Sequence, residues 1–297
     1  MAALGAAMVL ATVVTGCDWP TGRGGGLGTG NGYVDAAAWR GRQDGYLRFA
    51  TDELQRSSSA NLIAHLERAR RDRSYDFDGT QITADDYAAT FAKIDAYQDT
   101  SDFDMMRLTR LWQGYRRQIH PGLRAAIEQR FRAFRYWYTD PLPEGTVDHK
   151  WYWSENHRLI IHTLEYLAGK ALPDATFTLT GETGRVHEER GRKRIVAWLD
   201  EKAKYGFSEW HSDVYYAKDI EPLLLLVDFA DKPIARRAAA MLDLFLYDLA
   251  LHQLKGNNGV THGRSYMKDK SKATDEDVFN VMKVAFATTS KPYQSPR

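Results

Sequence analysis

The sequence predicts an all-α protein built from helical hairpins, and three observations carry that prediction. Apolar residues recur at three- and four-residue spacing over almost the whole chain beyond residue 33, as one buried face of a helix requires. The runs are punctuated by Ser and Thr at starts, Pro just inside them and Gly at stops, the residues that begin and end helices. Only "ATFTLTGETG", residues 175–184, alternates in the manner of a strand or hairpin.

Taken in order, Trp39, Tyr46, Phe49, Ala50 and Leu54 mark one face of a first helix, and Leu62, Ile63, Leu66 and Ala69 a short second one. "ITADDYAATFAKIDAY" opens on Thr83 as a cap and turns Tyr87, Phe91, Ile94 and Tyr97 inward. "DFDMMRLTRLWQGYRRQI" repeats the pattern with Met105, Leu108, Leu111, Trp112 and Tyr115, and "PGLRAAIEQRFRAFRYW" begins with Pro121. Ser154 is placed to cap a helix over 155–168, which Gly169 is expected to stop. "HEERGRKRIVAWLDEKAKYG" is amphipathic and ends at Gly206, while "DIEPLLLLVDFA" is almost wholly apolar and so belongs inside. "PIARRAAAMLDLFLYDLALHQ" starts from Pro233 and is amphipathic to Gln253.

Apolar inner helices alternating with amphipathic outer ones are how an α/α toroid reads, each hairpin turning its apolar member toward a central ring. About ten helices are predicted, fewer than a full ring needs, and "TTSKPYQSPR" supplies no closing element. The expected architecture is therefore an α/α toroid, either incomplete at its C-terminal side or part of a longer chain, with an irregular all-α domain as the alternative. No Gly-rich phosphate loop follows a strand.

The organisation expected along the chain has three parts. "LGAAMVLATVVTGC" is an apolar run ending in small residues, the form of an export signal and its cleavage site. Val14-Thr15-Gly16-Cys17 resembles the lipobox of bacterial lipoproteins, a resemblance that implies lipidation at Cys17 and a place at the cell envelope. The parts are then a signal peptide over 1–17, a Gly-rich tether over 18–32 and a helical domain over 33–297. Cys17 is the only cysteine, so the mature chain has no internal disulfide and no thiol metal site. The formal charge is +1, which speaks against a nucleic-acid partner drawn by a global positive field. Arg70 to Arg73, Arg116-Arg117 and Arg190 to Arg194 read as solvated helix faces.

Three polar and aromatic clusters stand at predicted turns. The first holds Trp151, Trp153, Glu155, Asn156 and His157; the second Glu209, Trp210, His211, Asp213, Tyr215 and Tyr216; the third Asn257, Asn258, His262, Arg264 and Tyr266. Trp and Tyr offer flat faces on which sugar rings stack, and loop residues over a rigid scaffold are where binding groups gather. Singly, each aromatic is as well explained by core packing or a helix staple.

The order Asn156, His211, Tyr215 or Tyr216, Arg264 resembles that of the toroid polysaccharide lyases of the chondroitin AC and hyaluronate type, and Asn156-His157 resembles the Asn-His pair of helical-toroid alginate lyases. The resemblance implies β-elimination on a uronate glycan. Asn156 and Arg264 would neutralise the uronate carboxylate. His211 and Tyr216, or one Tyr alone, would take a proton and return one. Trp151, Trp153, His157, Trp210, Asn258, His262 and Tyr266 would bind the chain. No cofactor and no metal are implied, and His157 and His162 are five apart rather than four. Two alternatives stand beside this one: a glycoside hydrolase using Glu155 and Glu209, with Asp213 in reserve, and a non-catalytic glycan-binding surface lipoprotein. In each, the membrane is met only through the lipid anchor.

Overall fold

A computed structural model describes residues 36–286 and 289–294; Cys17, the signal peptide and the tether lie outside the described residues. Among the described residues there are eleven α-helices and one two-residue hairpin, so the all-α class holds. The helices are α1 (Ala36–Ala50), α2 (Ser59–Arg71), α3 (Ala88–Asp95), α4 (Ser101–Tyr115), α5 (Pro121–Ala133) and α6 (Glu155–Ala171). There follow α7 (Gly184–Tyr205), α8 (Tyr215–Phe229), α9 (Lys232–His252), the strands β1 (Gln253–Leu254) and β2 (Asn257–Asn258), α10 (Met267–Ser271) and α11 (Phe279–Phe286). None of the described helices is long and apolar enough to cross a membrane.

The interior is a row of helices, α2 against α4, α4 against α6 and α6 against α8, with α1, α7 and α9 packed on its members. α11 lies between α9 and α1, and Tyr293 beyond it packs on Tyr46 at 5.1 Å and donates to the Arg42 carbonyl at 2.9 Å, so the C-terminal segment expected to lack a closing element does meet the first helix. Leu223 to Leu226 in α8 are wholly buried, as their unbroken apolar run requires, and only Val227 reaches partial exposure. Each such leucine contributes about 1.5–3 kcal/mol. Pro222 sits inside α8 and removes one intrahelical donor.

α6 and α7 pack closely along their length, and glycine permits it. A Cβ on Gly191 would lie 2.6 Å from the Tyr166 backbone nitrogen, and one on Gly169 would lie 2.4 Å from that of Glu188. Gly169 therefore lies within α6, which runs on to Ala171; it serves helix contact rather than the stop expected of it. Ser154 does cap α6, accepting from the His157 N–H at 3.4 Å, and Gly206 ends α7 at φ 75°.

Other expectations are corrected. α1 ends at Ala50, leaving Leu54 exposed beyond it. The helix expected from Thr83 begins at Ala88 after a 3₁₀ turn, and there the Asp86 carboxylate accepts from the Thr83 N–H at 2.8 Å. α5 stops at Ala133, so that Phe134 to Trp137 leave the helix. The 175–184 segment keeps a single bridge, Thr176 to Thr183, because it folds as a tight turn over the buried Phe177. The hairpin forms instead at β1 and β2, where Lys255 and Gly256 adopt φ 53° and 83°, the left-handed pair that a two-residue hairpin turn demands. Arg190 and Arg194 are not merely solvated: both bond the fully buried Glu165 carboxylate, at 2.7 and 2.9 Å.

Candidate functional site

The N-termini of α4, α6 and α8 meet, which brings the first two clusters together. Each helix start leaves backbone N–H groups free and carries partial positive charge, and acidic side chains gather there. His157 Nδ1 lies 2.6 Å from Asp102 Oδ2 in the first turn of α4, and its ring stacks on Phe103 at 5.0 Å. Asn156 donates to Glu209 Oε2 at 2.8 Å. The Trp198 indole N–H on α7 donates to the Glu155 carbonyl at 3.1 Å and so fixes the entry into α6.

Glu155 is spent on structure. Its carboxylate accepts from the Ser208 N–H and hydroxyl, both at 2.7 Å, and pairs with Lys202 at 2.6 Å; its side chain is 0% exposed. Glu209 and Asp219 each bring a carboxylate oxygen within 4.8 Å of it. Asp219 is wholly buried and neither of its oxygens has a hydrogen-bond partner among the described residues. Burial, then the charges of Glu155 and Glu209, push its carboxyl well above the ordinary range.

The second and third clusters are stitched together by main-chain bonds. The Ser212 hydroxyl accepts from the Tyr215 N–H at 2.9 Å, opening α8, and donates to the Arg264 carbonyl at 2.7 Å. Gly263 N–H donates to the Trp210 carbonyl at 2.9 Å, and the glycine passes so close that a Cβ would lie 2.8 Å from the indole nitrogen. The His211 carbonyl accepts from Asn258 at 3.2 Å and from His262 at 2.6 Å. Asn258 and His262 thus hold the loop rather than face outward.

Arg264 closes this arrangement. Its guanidinium donates to Glu209 Oε1 at 2.7 Å and to the Tyr266 hydroxyl at 3.1 Å, and lies 3.9 Å above the Tyr215 ring. The Tyr215 and Tyr266 hydroxyls are 2.5 Å apart. Burial foremost, and then the bond to Tyr266, raise the Tyr215 phenol, while Arg264 acts in the opposite sense. Asn156, Glu209, Arg264, Tyr266 and Tyr215 form one connected chain running from a buried amide to an exposed guanidinium. Asn156 is 0% exposed and its amide is committed to Glu209, so it positions Glu209 instead of meeting a substrate.

His211 and Tyr216 converge elsewhere, on Asp248 of α9. The Tyr216 hydroxyl donates to Asp248 Oδ2 at 2.8 Å, and His211 Nε2 lies 3.3 Å from Oδ1. Tyr216 is buried, and burial raises its phenol. Of the expected sugar-stacking residues, Trp151, Trp153, Trp210 and Tyr266 are exposed, and Trp153 packs on Tyr138 at 4.8 Å.

Asp102, Ser212, Asp219, Asp248 and His252 were not singled out by the sequence. Two signals were available. An aspartate leads directly into the apolar run of α8, and Asp248 and His252 share one face of α9 at a spacing of four. Compared with protein-family models, with curated proteins and with solved structures, the chain matches none.

Proposed function

We propose that the protein is a β-eliminating lyase for a uronate-containing glycan, exported and anchored through Cys17. The observation that supports this reading best is the exposed guanidinium of Arg264 beside the paired Tyr215 and Tyr266 hydroxyls. The Arg264 side chain is 43% exposed and its charge suits a uronate carboxylate. With that carboxylate neutralised, the proton on the adjacent carbon becomes acidic enough for a phenolate to remove. The electron pair left behind forms the carbon–carbon double bond, the glycosidic carbon–oxygen bond breaks, and the phenol returns a proton to the departing oxygen. Tyr215 ionises at raised pH, so the rate climbs with pH across the neutral range. The exposed Trp151 and Trp153, directly ahead of α6, would serve as stacking surfaces.

The inner row α2, α4, α6 and α8 with its outer partners, and α11 bringing α9 back to α1, support reading the fold as an α/α toroid. A hydrolase built on Glu155 and Glu209 is less well supported, because Glu155 is enclosed by Lys202 and Ser208 and has no exposed surface to offer a sugar.

The test is a panel of anionic polysaccharides followed by ultraviolet absorbance of the unsaturated product. Tyr215→Phe and Arg264→Ala are expected to remove the signal while leaving the helical circular-dichroism spectrum intact. Release of reducing ends from neutral glycans without any absorbance change would overturn the reading. For the anchor, Cys17→Ala is expected to move the protein out of the membrane fraction or leave its leader uncleaved.

A further inference from the structure

Asp248 is held in an unusual way. One carboxylate oxygen takes the Tyr216 hydroxyl at 2.8 Å, while the other faces two imidazoles, His211 Nε2 at 3.3 Å and His252 Nδ1 at 3.2 Å. Elsewhere in the chain a histidine meets a carboxylate at 2.6 Å between His157 and Asp102 and at 3.1 Å between His187 and Glu165, but in neither case do two imidazoles face one carboxylate oxygen. Two ligands on a tetrahedral zinc, each roughly 2.0–2.1 Å from the ion, stand about 3.3 Å apart. The 3.3 Å between His211 Nε2 and Asp248 Oδ1 matches such a coordination edge, while His252 brings its ring to the same carboxylate with Nδ1 turned to the helix backbone. One donor atom from each of the three residues falls within 4.8 Å of the others, and the rings of His211 and His252 lie 4.2 Å apart.

We infer that His211, Asp248 and His252 bind a divalent transition-metal ion, zinc foremost, with the remaining coordination position open to water. Two imidazoles and one carboxylate are the donor set that such ions take, and calcium or magnesium would want more oxygens. The surrounding groups are those that tune a metal site. The Tyr216 hydroxyl orients the carboxylate through the oxygen not facing the ion. The His252 Nδ1–H can donate to the Asp248 carbonyl at 2.9 Å, leaving its other ring nitrogen to carry the lone pair. Outer hydrogen bonds of both kinds set ligand orientation and basicity. All three residues are partly exposed, which gives the ion a way in.

The site is independent of the lyase reading, since none of its ligands belongs to the Arg264, Tyr215 and Tyr266 group. Its consequence is mechanical. An ion there would join the C-terminal end of α9 to the loop before α8, which carries Glu209. His211 adopts φ 52°, a left-handed conformation that costs a non-glycine residue free energy, and coordination would help to hold it.

The experiment is titration of the full chain with Zn²⁺ by calorimetry and with Co²⁺ by visible absorption. One equivalent is expected to bind, Co²⁺ giving the intense bands of a low-coordinate site, and the melting temperature is expected to rise. Asp248→Asn and His252→Gln should each abolish the bands. Tyr216→Phe should weaken binding by about 10–100-fold, the usual effect of losing an outer partner. His211→Asn is the variant least exposed to misfolding, because Asn tolerates the left-handed conformation, and it too should lose the ion while melting as a folded protein. Absence of saturable binding to the wild type would overturn the inference. So would binding that survives His211→Asn and His252→Gln undiminished, since the ion would then sit elsewhere, for instance on Glu155, Glu209 and Asp219.

Discussion

Arg264 donates to Glu209 across 55 residues of sequence, and this bond ties a surface loop to the shared end of α6 and α8. Because the arginine is half in solvent, the pair is worth little to stability. Its value lies in aiming the guanidinium. Arg264→Ala is expected to cost less than about 1 kcal/mol of stability and to lower turnover on a uronate glycan by about 10²–10³-fold. Glu209→Gln, which keeps the shape but loses the charge, should lower turnover less and leave the melt nearly unchanged. Chemical denaturation alongside the absorbance assay separates the two effects.

Gly191→Ala tests the contact between α6 and α7. The new Cβ would meet the backbone nitrogen and Cα of Tyr166 at 2.6 and 2.8 Å, and backbone cannot step aside. A loss of about 1–3 kcal/mol is expected, the range for overpacking, read as a lower urea midpoint with unchanged slope. Gly41→Ala is the control. No described residue lies within 4 Å of a Cβ there, so removal of a helical glycine should stabilise by about 0.5–1 kcal/mol.

His162 predicts acid sensitivity. It is buried, with its ring 4.8 Å from that of Trp137, and burial, then Arg194, lower it to about 3. The unfolded chain takes up the proton near pH 6.5 and the folded one refuses it until about pH 3. Stability is therefore complete above the first value and falls as pH drops toward the second, by up to about 1.4 kcal/mol per pH unit. His162→Leu, which leaves no Nδ1 without a partner, should flatten that slope in pH-dependent urea melts.

Glu276 predicts the opposite slope. Burial, with Asp213 and Asp269 adding to it, raises the carboxyl from 4.5 to about 8, against the bond from the Asn258 N–H. Its contribution is complete below the lower value and is lost as pH climbs through the higher one. Glu276→Gln keeps an acceptor for Asn258 and should be nearly neutral at pH ~4 while stabilising the protein at pH ~8. An equal effect at both pH values would contradict the raised carboxyl.

The sequence by itself determined most of the helices, though not α10 and α11, because their signals act within a turn or two. Apolar spacing put Leu223 to Leu226 inside, Ser154 opened α6 and Gly206 closed α7, each by chemistry local to a few residues. Local signals also misled where two local answers compete. Alternation at 175–184 suggested a ladder, but the segment bonds elsewhere, Thr178 N–H reaching the Arg132 carbonyl at 2.7 Å. Gly169 looked like a stop only because the helix it must admit, α7, is not visible from α6 alone. The three clusters of the candidate site were legible as clusters, since their residue types are dense at turns.

Their partners were decided only by tertiary structure. Asp102 meets His157, Asp219 sits unbonded near Glu155, and Asp248 collects His211, Tyr216 and His252. Each pairing depends on how one helix end is set against another, through contacts such as Trp198 on the start of α6. Periodicity names the face a residue lies on. Which residue it touches across tens of positions is fixed by helix crossing, and that is set by the packing of all the faces at once.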